Sequence, residues 1–239
     1  MKAALRHLKG WLCASLLLGC ASLPEYAAPK GGVVDAGQLD SSDVIGYRQL
    51  TRADFRGTHA PPEFAPVAAR VGAATCGQVR TTADTAFSIN WRQETPSSEK
   101  RHWVEVKKLE FMALMDRRCS WWNEQAAARA PAYVLEHEQI HFALYELGAR
   151  KLNAEVEELK REMTTEGKSQ AEVQAHAQKA LNAALQKATD ELLERNRDFD
   201  RDTSLGYRPD RQRAWLREVT QELSETRAFA SPPYAPTKG

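Results

Sequence analysis

The sequence predicts an α+β fold: a small N-terminal antiparallel sheet packed on a C-terminal helical hairpin plus a third helix. Three observations carry this. Residues 44–115 lack helical periodicity and contain short stretches that alternate polar and apolar side chains. Residues 131–163 place Val134, Leu135, Ile140, Leu144, Leu147, Leu152, Val156, Leu159 and Met163 at helical spacing, interrupted only by Gly148. Residues 169–197 repeat that spacing after the stop and turn at 164–168, so the two helices are expected to run antiparallel.

Taken in order, the chain opens on a targeting segment. Lys2, Arg6 and Lys9 form a basic region and residues 11–18 an apolar one, too short to span a bilayer as a stable helix. The following Leu17-Leu18-Gly19-Cys20 resembles the lipobox of bacterial lipoproteins. That resemblance implies removal of residues 1–19 and lipidation of Cys20, in preference to an ordinary signal peptide cut near Ala21. Ala21 and Ser22 offer no acidic retention signal, so the expected location is the outer membrane of a two-membrane bacterium, facing the periplasm. Residues 20–43, a mixture of Pro, Gly, Ala, Ser and Asp, read as a flexible tether, residues 44–229 as one domain, and residues 230–239 as a disordered Pro-rich tail.

Within the domain, residues 44–50, 67–71, 85–91 and 103–106 read as strands, with a turn at 95–98. Residues 109–122 fit either a short strand or a short helix. Asp54-Phe55-Arg56-Gly57 reads as a turn closing a strand. Arg80 and His102 are polar residues to follow near a cleft, although a surface role is the commoner one for such residues. Trp121 and Trp122 fit the core or a substrate-facing rim. Residues 200–210 read as a loop and residues 212–229 as the third helix, with Trp215, Val219 and Leu223 on one face.

Composition narrows the function classes. The formal net charge is +1, with 27% charged and 42% hydrophobic residues, an ordinary globular mixture that gives no electrostatic case for nucleic acid. Four cysteines are present. With Cys13 in the targeting segment and Cys20 lipidated, Cys76 and Cys119 remain as a pair in an oxidising space, and a disulfide is expected rather than two free thiols.

The chemistry is concentrated in His137-Glu138-Gln139-Ile140-His141. On a helix, positions four apart lie on one face, so the two imidazoles aim at a common point. Two neutral imidazoles one turn apart suit two corners of a zinc site, and Glu138 beside them suits a general base that reaches a water on the metal. The plainer alternative is a pair of buried, hydrogen-bonded histidines. A catalytic zinc wants a third protein ligand. With the hairpin turn near 166–168, the level of the motif is reached again at about residues 190–200. That leaves Asp190, Glu191, Glu194, Asp198, Asp200 and Asp202 as candidates and makes His176 a poor one.

The stretch 135–143, with Ala149-Arg150-Lys151-Leu152 behind it, resembles a bacterial family of secreted, zincin-type zinc-protease-like proteins, domain of unknown function 922. Two further segments fit that likeness: residues 48–57, and Phe199-Asp200-Arg201-Asp202-Thr203-Ser204-Leu205-Gly206 followed by Gln212 and Trp215. The family's late segment reads Tyr-Asp-x-Glu-Thr-x-His-Gly. Here Asp200 stands at the Asp position, Asp202 replaces the Glu and Leu205 replaces the His. If the Asp is the third ligand the site is intact, and if the His is, the site is weakened. Asp200 is the expected ligand, with Asp202 second. The resemblance implies a zinc peptidase, and with the lipobox the expectation is a lipid-anchored metallohydrolase of the cell envelope acting on a peptide or protein, peptidoglycan peptides included. His102 and Tyr207 are two donors the residues offer for the oxyanion. The alternative is a non-catalytic envelope lipoprotein that uses its helical hairpin to bind a partner.

Overall fold

A computed structural model describes residues 42–234. The expected lipidation site, the targeting segment, all but the last residues of the tether and the final five residues lie outside them. No helix among the described residues is long and apolar enough to cross a membrane.

The fold is α+β, as the periodicities predict. Among the described residues, eight strands form three small antiparallel sheets. β1 (Val44–Gly46), β6 (Phe111–Asp116) and β3 (Gly77–Thr81) make the first, in the order β1-β6-β3. β2 (Ala73–Ala74) pairs with β7 (Trp121–Trp122). β4 (Ala86–Arg92), β5 (Arg101–Lys108) and β8 (Glu166–Gly167) make the third. The helices are α1 (Glu124–Ala127), α2 (Pro131–Ala154), α3 (Val156–Met163), α4 (Gln170–Thr203) and α5 (Pro209–Glu225).

β6 settles the ambiguous stretch. Phe111 to Met115 are all buried, because β6 is the central strand of its sheet and α2 packs on it. A strand covered on both faces loses its alternation and reads as a plain apolar run. Other expectations shift. Residues 67–71 are no strand: Pro62–Val67 is a 3-10 helix that runs into a turn, in keeping with the two prolines that cannot donate to a ladder. β1 ends at Gly46, although Tyr47 and Leu50 remain buried. The run 131–163 divides at Glu155 into two helices. The expected 164–168 turn contains β8, which pairs with β5. The tail boundary moves too. Ala230 and Ser231 are buried, Ser231 N–H donates to Glu146 Oε1 at 3.0 Å, and Ser231 Oγ accepts from Ala113 N–H at 3.1 Å.

α2 is the axis of the domain. β6 and β3 pack on one side of it, α4 and α5 on the other. This explains why thirteen of its residues, charged ones among them, are buried. A helix enclosed on all sides shows little amphipathic contrast. Its buried charge is neutralised locally: Arg150 Nε donates to Glu146 Oε1 at 2.6 Å and Arg150 Nη1 to the Leu223 carbonyl at 2.6 Å near the end of α5. Gly77 is needed beside α2, since a Cβ there would come within 2.3 Å of the Tyr145 ring.

Cys76 and Cys119 form the expected disulfide, with Cα atoms 5.7 Å apart across 43 residues of sequence. It ties the start of β3 to the turn after β6.

Candidate metal centre

The metal-ligating side chains come from the two long helices. α2 starts at Pro131, whose absent N–H would have no partner in the first turn anyway. His137 and His141 follow on one face, with ring centroids 4.9 Å apart. α4 is capped by Ser169, whose Oγ accepts from Glu172 N–H, and runs back past α2. It continues to Thr203, six residues beyond the expected end at 197. Asp200 and Asp202 therefore sit in its last turn rather than in a loop. The reversal that follows is tight: Ser204, Leu205 and Gly206 all have positive φ, and Gly206 at +86° adopts it without Cβ strain. Tyr133 Oη donates to the Gly206 carbonyl at 2.8 Å and pins this reversal to α2.

Asp200 completes the group. Its Oδ1 lies 3.2 Å from His137 Nε2 and 3.1 Å from His141 Nε2, and the three ligand atoms lie within 4.8 Å of one another. Tetrahedral zinc with ligands at 2.0–2.1 Å has edges of about 3.3 Å, so the separations to Asp200 are of coordination size. Asp202, the second choice, faces away. It pairs with Arg211 at 2.6 Å and accepts from Trp215 Nε1 at 3.2 Å. His176 contacts the Glu162 carbonyl far from the centre.

The far sides of both rings are also held. His137 Nδ1 faces Gln212 Oε1 at 3.1 Å, and His141 Nδ1 faces Asn196 Oδ1 at 2.7 Å. Each amide is oriented by its nitrogen. Gln212 Nε2 donates to the Tyr133 carbonyl and to Glu136 Oε1, and Asn196 Nδ2 donates to the Leu192 carbonyl. An amide oxygen only accepts, so each Nδ1 carries the proton and donates. Both Nε2 atoms then turn lone pairs toward one carboxylate oxygen. Three electron-rich atoms so placed need a cation or a proton between them, and a hydrogen bond at the far nitrogen is how metal-binding histidines are commonly oriented.

The electrostatics agree. Burial disfavours the charged His141 imidazolium, but the Asp200 charge and its hydrogen bond win and raise the group to about 9. Burial likewise opposes ionisation of Asp200, yet the imidazoles hold its carboxyl well below the usual carboxylate range. Phe199 stacks on His137 with centroids 4.4 Å apart and meets His141 edge-on, walling the centre on its inner side.

Glu138 lines the same cleft and is buried. Burial pushes its carboxyl up, while the imidazoles and the Thr75 hydroxyl, which donates to Oε2 at 2.8 Å, oppose that. Thr75, Asn196 and Gln212 are the participants that motif reading missed or left without a role. Asn196 had one usable signal, its position one turn before Asp200. Arg80 and His102 do not reach the site, and His102 pairs with Gly167 at the edge of the third sheet. Tyr207 does line the cleft, with its hydroxyl on the Arg70 carbonyl at 2.7 Å. Trp122 is core, against Phe55, and neither Trp121 nor Trp122 lines the cleft.

Residues 48–57 lie behind the centre rather than in it. Gln139 Oε1 accepts from Leu50 N–H at 2.6 Å and its Nε2 donates to the Arg48 carbonyl. Asp54 is buried and pairs with Arg48 and Arg117.

Comparison of the whole chain with protein-family models, curated proteins and solved structures returns no match. What stands on the structure's own terms is a group, the buried His137 with the half-buried His141 and Asp200, that could hold a metal ion.

Proposed function

We propose that this protein is a zinc-dependent hydrolase of the bacterial cell envelope, lipid-anchored through Cys20 and acting on peptide bonds. One observation carries the reading: both imidazoles present Nε2 to the same Asp200 oxygen at 3.1–3.2 Å while their Nδ1 atoms are committed elsewhere. Two nitrogens and one carboxylate are a common catalytic zinc set, leaving a position for water or substrate. When bound, zinc would polarise a carbonyl and supply an activated water. The resemblance of residues 135–143 to the zinc-protease-like family points to the same zinc chemistry but leaves the third ligand open, and the 3.1–3.2 Å approach of Asp200 supports choosing it over the histidine missing at 205.

The residues divide the work. Asn196 and Gln212 fix the imidazole tautomers. Glu138, held by Thr75, accepts the water's proton and returns it to the leaving amine. Its buried position favours that exchange, because a carboxylate pushed upward is closer to the operating pH. Phe199 excludes water from the inner side of the rings.

The test separates binding from chemistry. Purified protein should hold about one zinc per chain. Glu138→Gln should keep that zinc and lose at least about a hundredfold in hydrolysis of a peptide mixture, the scale of general-base contributions. Full activity in that variant would exclude the role. Loss of zinc in His137→Ala without any hydrolysis by the parent would favour the alternative, a lipoprotein whose hairpin binds a partner.

A further inference from the structure

A cleft of about 680 Å³ opens over the metal centre, between α2, the end of α4 and the loops around residues 63–75 and 126–130. Much of its wall is apolar, from Phe64, Val71, Val134, Leu193 and Leu205. Three arginines also line it: Arg70, Arg129 and Arg197. They come from three separate segments and all are exposed. Among the described residues, none of the three guanidinium groups has an ion-pair or hydrogen-bond partner. Arg48, Arg195 and Arg211 are matched to Asp54, Glu222 and Asp202, whereas unpartnered arginines such as Arg80, Arg101 and Arg217 stand singly elsewhere; what sets Arg70, Arg129 and Arg197 apart is that all three line one cleft. Outside the metal centre, Glu63 is the single acid among the residues lining the cleft. The positive excess lies in the part of the cleft away from Glu138 and Asp200, where three arginines face Glu63, on a chain whose net charge is +1.

We infer that the cleft takes peptides bearing carboxylates. Arg70, Arg129 and Arg197 bind the anionic groups, and the apolar wall takes aliphatic side chains between them. This deepens the hydrolase reading and rests on it for the statement that the bound peptide is a substrate. The chemistry is that of guanidinium and carboxylate, whose planar forks match in two parallel hydrogen bonds. Low-dielectric apolar walls focus the field of unpaired charges onto an entering ligand. Tyr207 Oη donates to the Arg70 carbonyl at 2.7 Å, which fixes the main chain that carries the Arg70 guanidinium. The carboxylate has two possible sources, an acidic side chain or a free C-terminus.

Peptide binding to the full chain carrying Glu138→Gln, loaded with zinc, tests this without turnover. The probes are fluorescently labelled alanine–leucine hexapeptides containing one glutamate, glutamine or lysine, each with a free or an amidated C-terminus. The glutamate or free-acid peptides should bind about tenfold or more tighter than the lysine amide, equivalent to one well-made charged contact. The preference should fall at high salt and vanish in a triple Arg70→Gln, Arg129→Gln, Arg197→Gln variant of unchanged melting temperature. Dependence on the glutamate assigns a side chain, and dependence on the free terminus assigns the chain end. Equal binding of all peptides, no binding at all, or a preference that survives in the triple variant overturns the inference. Hydrolysis of an unbiased peptide mixture by the zinc-loaded parent is scored separately. Cleavage without selection for acidic peptides sinks the substrate class alone, whereas arginine-dependent selectivity without cleavage sinks the hydrolase alone.

Discussion

At the scale of the residue, the centre depends on hydrogen bonds outside the ligand set. Asn196 spends one amide group on the Leu192 carbonyl and the other on His141 Nδ1. Replacing it with Ala leaves the ligands intact but frees the ring to rotate or change tautomer. Asn196→Ala should weaken zinc affinity by about 10–100-fold, measured by competition with a chromogenic chelator, with the far-UV spectrum unchanged. Affinity equal to that of the parent would remove Asn196 from the supporting shell. The same residues set a pH signature. In metal-free protein the His141 imidazolium is stabilised by Asp200, with its value raised from 6.5 to about 9. A raised value contributes stability fully below the unfolded one and loses it as pH rises through the folded one. The melting temperature of metal-free protein should thus fall between about pH 6.5 and 9. Zinc reverses the trend, because ligation needs neutral imidazole and the stabilisation by added metal grows with pH. A metal-free melting temperature that rises across this interval would contradict the His141–Asp200 arrangement.

At the scale of the element, α2 is held in place from behind by residues 48–54. Asp54 accepts from Arg48 and from Thr51 N–H and forms an ion pair with the buried Arg117, while Gln139 on α2 bonds the backbone at Arg48 and Leu50. This joins β6, the N-terminal segment and the motif helix. Asp54→Ala removes the negative partner and leaves the positive charges of Arg117 and Arg48 behind. A loss of about 3–5 kcal/mol is expected in denaturant unfolding, the usual cost of breaking a buried pair on one side. A loss below about 1 kcal/mol would mean that the pair behaves as a surface one. The His137, His141 and Asp200 group should persist in whatever fraction stays folded, since Asp54, Arg48, Arg117 and Gln139 do not line the cleft.

At the scale of the molecule, the disulfide crosses from the edge of the cleft to the turn beyond β6. Thr75, which holds Glu138, is the residue before Cys76. Closing 43 residues should stabilise the folded state by up to about 4 kcal/mol on the chain-entropy view. Reduction, or Cys76→Ala with Cys119→Ala, should lower the melting temperature accordingly while zinc binding by His137, His141 and Asp200 persists in the folded protein. Zinc loss in the folded double variant would show that the disulfide supports the metal centre as well as the fold.

The sequence determined the α+β class, the motif helix, its antiparallel partner and the cysteine pair, because each rests on local spacing or on a residue type with few uses. Helix geometry alone put His137 and His141 on one face, and counting residues along both legs brought Asp200 within range. Only the tertiary structure chose between Asp200 and Asp202, which sit two apart on one helix and so point in different directions. Only it lengthened α4 through 203, turned the chain at residues 68–70, buried Ser231 and revealed Thr75, Asn196 and Gln212 behind Glu138 and the two imidazoles. These outcomes are settled by contacts between segments far apart in the chain, and the spacing of residues within any one segment carries no record of what packs against it.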